Sequence, residues 1–371
     1  MDLQHIHENE IVVGQPIPWN VYDREGILLL REGHILETDH QLQELKERGL
    51  FLKRDPTDSH VAPPVREKPS PFVLLDGMYE QVEKLFGRMT VDSNFSEKVF
   101  ALCKIVQTAC DIDTNAALAS IFIGREGRYS IVHPIHAAVL CELVARHMKW
   151  PVEERALLLA GAITMNIGML SLQDKMYHQE EPASEAQRME LSKHPQLGLE
   201  ILKNAGVTDE IWLNSVQQHH ELFDGSGYPA RLSGDAISRN AKMITLADVY
   251  GSLVQGRDYR PPMLQNNAMR ELFLQRGKRA DPLLADQFIK TVGLYPPGTF
   301  VRLVNGEVAI VTRHGKSVAA PIAHSVVGPR GAPLSVYIKR DCGNERFAIR
   351  EPISKAQADI KIRRYQLWGY Q

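Results

Sequence analysis

The sequence predicts a mainly α fold: a helical bundle with a small N-terminal α/β unit and a small C-terminal β-rich segment. Three observations carry this. From residue 72 to residue 293 apolar residues recur at helical spacing behind repeated N-cap signals. A proline-rich stretch of mixed charge separates that region from the first 55 residues. Beyond it the pattern turns to alternation about Asn305-Gly306, a strong hairpin signal.

In residues 1–55, Val21-Tyr22-Asp23 and Ile27 to Leu30 flank the turn Arg24-Glu25-Gly26. A short helix follows, with Thr38 as N-cap, Leu42 and Leu45 on one face and Gly49 at its end. Residues 56–71 read as an extended linker, too rich in proline to fold. In residues 72–293, Leu74, Met78, Val82 and Leu85 form one helical stripe and Val99, Leu102, Ile105 and Val106 another. Ser184 to Gln187 has capping-box spacing, and Thr208-Asp209-Glu210 and Ser238 read as further N-caps, for a bundle of about eight helices. In residues 294–371, Phe300 to Val304 pairs with Glu307 to Val311, and Ser335 to Lys339 and Arg346 to Ile349 extend the sheet.

The 371 residues carry 43 Lys and Arg against 45 Asp and Glu, a formal charge of −2. No global basic field draws the chain to a nucleic-acid polymer, so an anionic ligand must be held locally. Four cysteines without CxxC spacing read as buried thiols in a reducing compartment. The first ten residues lack the basic head and apolar run of a signal peptide. The apolar run from Ala156 to Leu172 is about a turn short of the roughly 20 residues of a membrane span and contains Asn166. It reads as a core helix running into a loop, and the expectation is a cytoplasmic protein with no membrane span.

Chemistry points to five residues. His219 and His220 end a predicted helix and run into Glu221-Leu222-Phe223-Asp224-Gly225-Ser226-Gly227-Tyr228-Pro229, where glycines and a proline impose a defined turn. Successive helical residues diverge by about 100°, so both rings meet one site only near the helix end. Asp248 lies on an otherwise apolar helix, where a buried carboxylate needs a cation or a metal. His194 precedes Pro195 and marks a junction between two helices; His133 precedes Pro134 near a helix start with Ser130 as N-cap. Together they offer imidazole and carboxylate ligands on different helices, as metal sites in bundles require.

From about Tyr129 to Gly298 the order and spacing of these elements resemble the HD-GYP family, metal-dependent phosphodiesterases of cyclic di-GMP within the HD superfamily. The resemblance rests on His219-His220-Glu221, the loop Asp224 to Pro229, His194-Pro195 with Gly198, Ala247-Asp248-Val249-Tyr250 and Arg257-Asp258-Tyr259-Arg260. It implies an HD-type helical bundle, metal ligation by His133, His194, His219, His220 and Asp248, and contacts to ligand phosphate or guanine from Arg257 and Arg260. It implies cyclic di-GMP as ligand and a divalent Fe, Mn or Zn ion as cofactor. Through the loop of Asp224, Gly225, Gly227, Tyr228 and Pro229 it also points to diguanylate cyclase (GGDEF-type) partners; a homodimer is a separate expectation.

One departure bears on activity. Where relatives read His-Asp-Ile-Gly-Lys, this chain reads Met165-Asn166-Ile167-Gly168-Met169, so a ligand histidine, a bridging aspartate and a phosphate-facing lysine are replaced. By the family's ligand pattern one metal keeps only His133 and Asp248, whereas the other keeps His194, His219 and His220. The expectation is one ion rather than two and impaired hydrolysis, with the chain acting as a cyclic di-GMP receptor or scaffold. The alternative is a working phosphodiesterase that uses the three histidines or a substitute ligand such as His136 or Glu142.

Overall fold

A computed structural model describes residues 2–5, 11, 13–17, 20–48, 51–54, 69–88 and 94–370. Gly49 and nearly all of the expected linker lie outside the described residues. The chain divides into two compact units, Met1–Arg66 and Glu67–Gln371.

The first unit contains β1 (Asp2–His5), β2 (Val21–Tyr22), β3 (Leu28–Leu30), α1 (Asp39–Arg48) and β4 (Phe51–Arg54). The strands form an antiparallel sheet in the order β1-β4-β2-β3. Asp23 fixes the β2–β3 turn by accepting hydrogen bonds from the Glu25 and Ile27 amides, with Gly26 at φ +80°. Ile11, Ile17, Val21 and Leu36 make a small core.

Among the described residues between Pro71 and Val292, eleven α-helices stand where the periodicity suggests about eight. They are α2 (Pro71–Phe86), α3 (Phe95–Ile112), α4 (Thr114–Ile123), α5 (Tyr129–His147), α6 (Val152–Thr164), α7 (Leu170–Tyr177), α8 (Glu185–Asn204), α9 (Glu210–Gln218), α10 (Arg239–Gln255), α11 (Gln265–Gln275) and α12 (Pro282–Val292). The extra ones are short segments whose apolar face is too brief to stand out as periodicity. The expected caps form: a full capping box at Ser184, and Asp209 and Ser238 accepting amides of their first turns. Helix α5 is buried nearly all round, as an axial helix must be, and packs against α3, α6, α10 and α12.

Two expectations at prolines need correction. Pro195 lies inside an unbroken α8, and Pro134 inside α5. Ser130 is not the N-cap of α5; its amide and hydroxyl both donate to Asp174 of α7, at 2.9 and 2.8 Å. The apolar run also proves longer than expected. Val152–Tyr177, which includes a 3₁₀ turn at Ile167–Met169, is long and apolar enough to cross a membrane by length and composition alone. Yet 61% of its most apolar window is buried inside the protein, which makes it core.

The C-terminal strands β5 (Phe300–Leu303), β6 (Val308–Ser317), β7 (Ala320–Val327), β8 (Pro333–Asp341) and β9 (Ile349–Ile353) form an antiparallel sheet in the order β8-β7-β6-β5-β9. The hairpin about Asn305-Gly306 forms, with Phe300 opposite Ile310. Arg346 lies in a 3₁₀ turn rather than in a strand, and β7 went unread. Two short helices close the chain, α13 (Lys355–Ala358) and α14 (Arg364–Trp368). The sheet and α14 pack on α2 and α4 through Phe72, Ala116, Ala119, Phe300, Ile310 and Trp368.

Candidate metal and ligand site

Each of the three clustered histidines is aimed by local backbone chemistry. Pro195 has no N–H to give the Leu191 carbonyl one turn back, and the Nδ1–H of His194 takes that carbonyl at 2.6 Å. The proline therefore frees a carbonyl that orients the histidine. At the end of α9, His219 is the C-cap residue and its Nδ1–H donates to the orphan Val216 carbonyl, also at 2.6 Å. With both Nδ1 atoms carrying protons, the two neutral rings direct lone pairs at each other, Nε2 to Nε2, at 3.2 Å. That contact is unfavourable without a cation between them. His220 adds a third nitrogen: its buried Nε2 has no hydrogen-bond partner. Its ring lies 4.2 Å from that of His219 and stacks on Tyr228 at 4.8 Å. The ligating atoms of all three lie within 4.8 Å of one another. Burial pushes His194 down to about 3 and lowers His219 and His220 too, so the rings stay neutral and able to ligate.

The loop after His220 is folded by a buried carboxylate. Glu221, 2% exposed, accepts the amides of Ala230 at 2.6 Å and Leu232 at 2.9 Å, and the Tyr228 amide donates to the His220 carbonyl at 3.1 Å. A side chain at Gly227 would collide with the backbone of His220 to Leu222. Asp224 is exposed and turns the tip by accepting from Ser226. The loop residues Asp224, Gly225, Gly227, Tyr228 and Pro229 thus serve mainly to set Tyr228 against His220. Glu221→Ala is expected to lower unfolding stability by about 2 kcal/mol and metal affinity by about tenfold. Urea unfolding and metal titration check this; unchanged metal affinity would remove Glu221 from the site.

On the other side of the cavity His133 Nε2 meets Asp248 Oδ1 at 2.7 Å. Burial opposes ionisation of Asp248, but the hydrogen bond and charge of His133 outweigh it and hold the carboxyl well below its usual range. His133 Nδ1 faces Gln255 Oε1 at 3.0 Å, the Gln255 amide nitrogen meets His136 Nδ1, and His136 Nε2 meets the Tyr79 hydroxyl at 3.2 Å. Tyr129 stacks on His133, and Tyr177 on Tyr129, at 4.9 and 4.7 Å. Gln255 and Tyr129 were missed by the sequence reading, although both share a face with a chosen residue: Asp248 plus seven, and His133 minus four.

A cavity of about 150 Å³ joins the two halves, lined by His133, Asn166, Met169, His220, Asp248 and Arg257 among others. That is room for about five waters, or one phosphate group. Gly168 seats the 3₁₀ turn there, because a Cβ would collide with the His194 carbonyl and the Gly198 amide of α8. Asn166 is 2% exposed and neither end of its amide has a hydrogen-bond partner. Met165 is fully buried in the hydrophobic core and does not line the cavity. Nor does Arg260, whose guanidinium donates to the Ser252 carbonyl at 2.8 Å. Arg257 does line it, and donates to the Tyr259 hydroxyl at 3.1 Å. The substitute ligands fail: His136 is tied to Gln255 and Tyr79, and Glu142 is paired with Arg155.

The HD domain model matches residues 117–284, a stretch that holds every residue lining this cavity and all three clustered histidines. Residues 117–284 are an HD domain. The chain is 28% identical over 211 residues to a cyclic di-GMP phosphodiesterase of Pseudomonas aeruginosa, covering 56% of this chain and 50% of the relative. It is 27% identical over 200 residues to a 3'3'-cGAMP-specific phosphodiesterase of Vibrio cholerae serotype O1, covering 52% of this chain and 37% of the relative. The chain thus spans half or less of the length of these curated relatives. A solved HDG"Y"P protein from Bdellovibrio bacteriovorus aligns with 17% identity and a TM-score of 0.49, covering 78% of this chain and 99% of that one.

In this HD-domain protein the donor set suits one divalent ion. The His194, His219 and His220 nitrogens form a three-imidazole group with an orphaned nitrogen and an otherwise unfavourable lone-pair contact, both of which a cation relieves. A pH effect follows for the metal-free protein. His136 and His194 have an ordinary value of 6.5 and are held at about 3 by burial, so only the unfolded chain takes up their protons between those values. Stability is fully present above pH 6.5 and falls as pH drops toward 3, by about 1.4 kcal/mol per pH unit for each such histidine. Urea titrations in chelator at pH 7, 6 and 5 check this, with a shallower slope for His136→Gln. A flat profile would contradict it.

Proposed function

We propose that this HD-domain protein is a cyclic di-GMP receptor or scaffold with one divalent Fe, Mn or Zn ion on His194, His219 and His220 and severely reduced hydrolysis. The observation that carries the reading is the asymmetry of the two halves. One half presents three imidazole nitrogens with no protein acceptor between them, while in the other His133 and Asp248 close on each other at 2.7 Å. Beside that pair stand a neutral amide, Asn166, and a thioether, Met169, where a second ion would need a carboxylate.

An ion on the three histidines would supply Lewis-acid charge to a phosphate oxygen and acidify a water. The chain's own residues do the rest. The Leu191 and Val216 carbonyls hold the rings of His194 and His219 in place. Arg257 offers a planar fork of donors to a phosphate entering the cavity, and Asn166 and Met169 supply no charge to meet it. The bond to His133 holds the Asp248 carboxyl well below its usual range, which makes it a weak proton acceptor for an attacking water. The names of the relatives support a cyclic dinucleotide as ligand, and GGDEF-type cyclases and a second copy are the protein partners of this reading.

The test is incubation of the purified protein with cyclic di-GMP and Mn²⁺, Fe²⁺ or Zn²⁺. Binding that Arg257→Ala weakens, with little linear dinucleotide or GMP formed, is the expected result. Robust turnover that His219→Ala abolishes would overturn it in favour of an active phosphodiesterase, the reading that the intact three-histidine group also supports.

A further inference from the structure

A cavity of about 560 Å³ lies where the C-terminal ends of α5 and α12 meet the β6–β7 hairpin, and it shares no lining residue with the histidine site. Its wall is one-sided in charge. Arg146 and His147 come from α5, Lys290 from α12, and His314 and Lys316 from β6, and no carboxylate lines it. Arg146 is partly neutralised, since its Nη1 donates to the Cys110 carbonyl and pairs with Asp111 at 3.0 Å. Asn115 Oδ1 at 3.0 Å and the Val292 carbonyl at 3.2 Å hold the ring of His314 in the wall.

Helix ends explain part of this charge, because basic residues at C-termini offset the helix dipole. His147 and Lys290 stand at such ends. Lys316 does not: it projects from a strand, in the hairpin that forms the far wall. Leu143, Tyr295, Val318 and Pro321 add an apolar side. Cations on one side, an apolar and aromatic wall on the other, and a volume within the roughly 300–1,000 Å³ of small-molecule sites define the ligand's shape and charge. We infer that this cavity is a second binding site, for a small phosphate-bearing organic anion of nucleoside-monophosphate size. The inference stands apart from the proposed function and survives its failure.

Calorimetric titration of the full chain with GMP and AMP, and with guanosine as the uncharged counterpart, tests it. A nucleoside monophosphate is expected to bind where guanosine does not, and more weakly as salt rises. Lys290→Glu with Lys316→Glu is expected to weaken binding by about tenfold or more, and the Gln pair by less. Both lysines are exposed, and an unchanged melting temperature confirms the fold. His219→Ala is expected to leave this affinity intact. Absence of nucleotide binding, guanosine binding equally well, or binding lost in His219→Ala but kept in the Glu pair would each overturn the proposal.

Discussion

Met165→His with Asn166→Asp is expected to raise the metal content of the purified protein from one ion per chain to two. Asn166 is the decisive position. It lines the cavity, is 2% exposed, and has no hydrogen-bond partner at either end of its amide. Aspartate has the same shape and brings a charge that the pocket cannot satisfy without a cation. In chelator the variant is therefore expected to be less stable than the parent by a few kcal/mol, about the cost of an unpaired buried carboxylate. Added Mn²⁺ should restore that loss. The histidine at 165 must also displace a thioether fully buried in the core, which costs about 1–3 kcal/mol in repacking. Elemental analysis and melting curves with and without Mn²⁺ separate the terms. A variant that stays at one ion per chain would mean that the altered motif does not limit metal binding.

His219→Ala is expected to remove the remaining ion. It leaves two imidazoles, and it deletes the ring whose Nε2 stands 3.2 Å from that of His194. Metal affinity should fall by more than about a hundredfold, beyond the range that loss of an outer-shell partner produces. The substitution also removes the bond to the Val216 carbonyl and some packing against His220, a stability cost of about 2–3 kcal/mol. The two effects separate by linkage, because added metal raises the parent's melting temperature through binding to the folded state alone. The variant should start lower and fail to respond. A metal-induced rise equal to the parent's would place the ion elsewhere.

Much of this site was legible in the sequence because its parts are local. The glycines and proline after His219-His220 announced a fixed turn, and the turn does bring both rings to one point at the end of α9. At His194-Pro195 the expected helix junction does not form, because the carbonyl that proline leaves without a backbone donor finds another one. The ring of His194 takes it, and α8 continues. Ser130 was a plausible cap by residue type, but Asp174, 44 positions away, supplies the oxygen. The same distance hid Gln255 between His133 and His136, and the Asp76–Arg364 pair between α2 and α14, since each depends on how helices pack. Strand β7 was missed because nothing in Ala320 to Val327 alternates sharply, and its pairing to β6 runs through several register shifts.

The most direct test of the account is the number of ions carried by the unmodified protein after purification and dialysis against Mn²⁺, Fe²⁺ or Zn²⁺, counted by elemental analysis against protein concentration. One ion per chain, lost in His219→Ala and kept in Asp248→Asn, is the predicted result. Two tightly held ions per chain would contradict it, because His133 and Asp248 would then be serving a second metal for which Met165 and Asn166 supply no ligand.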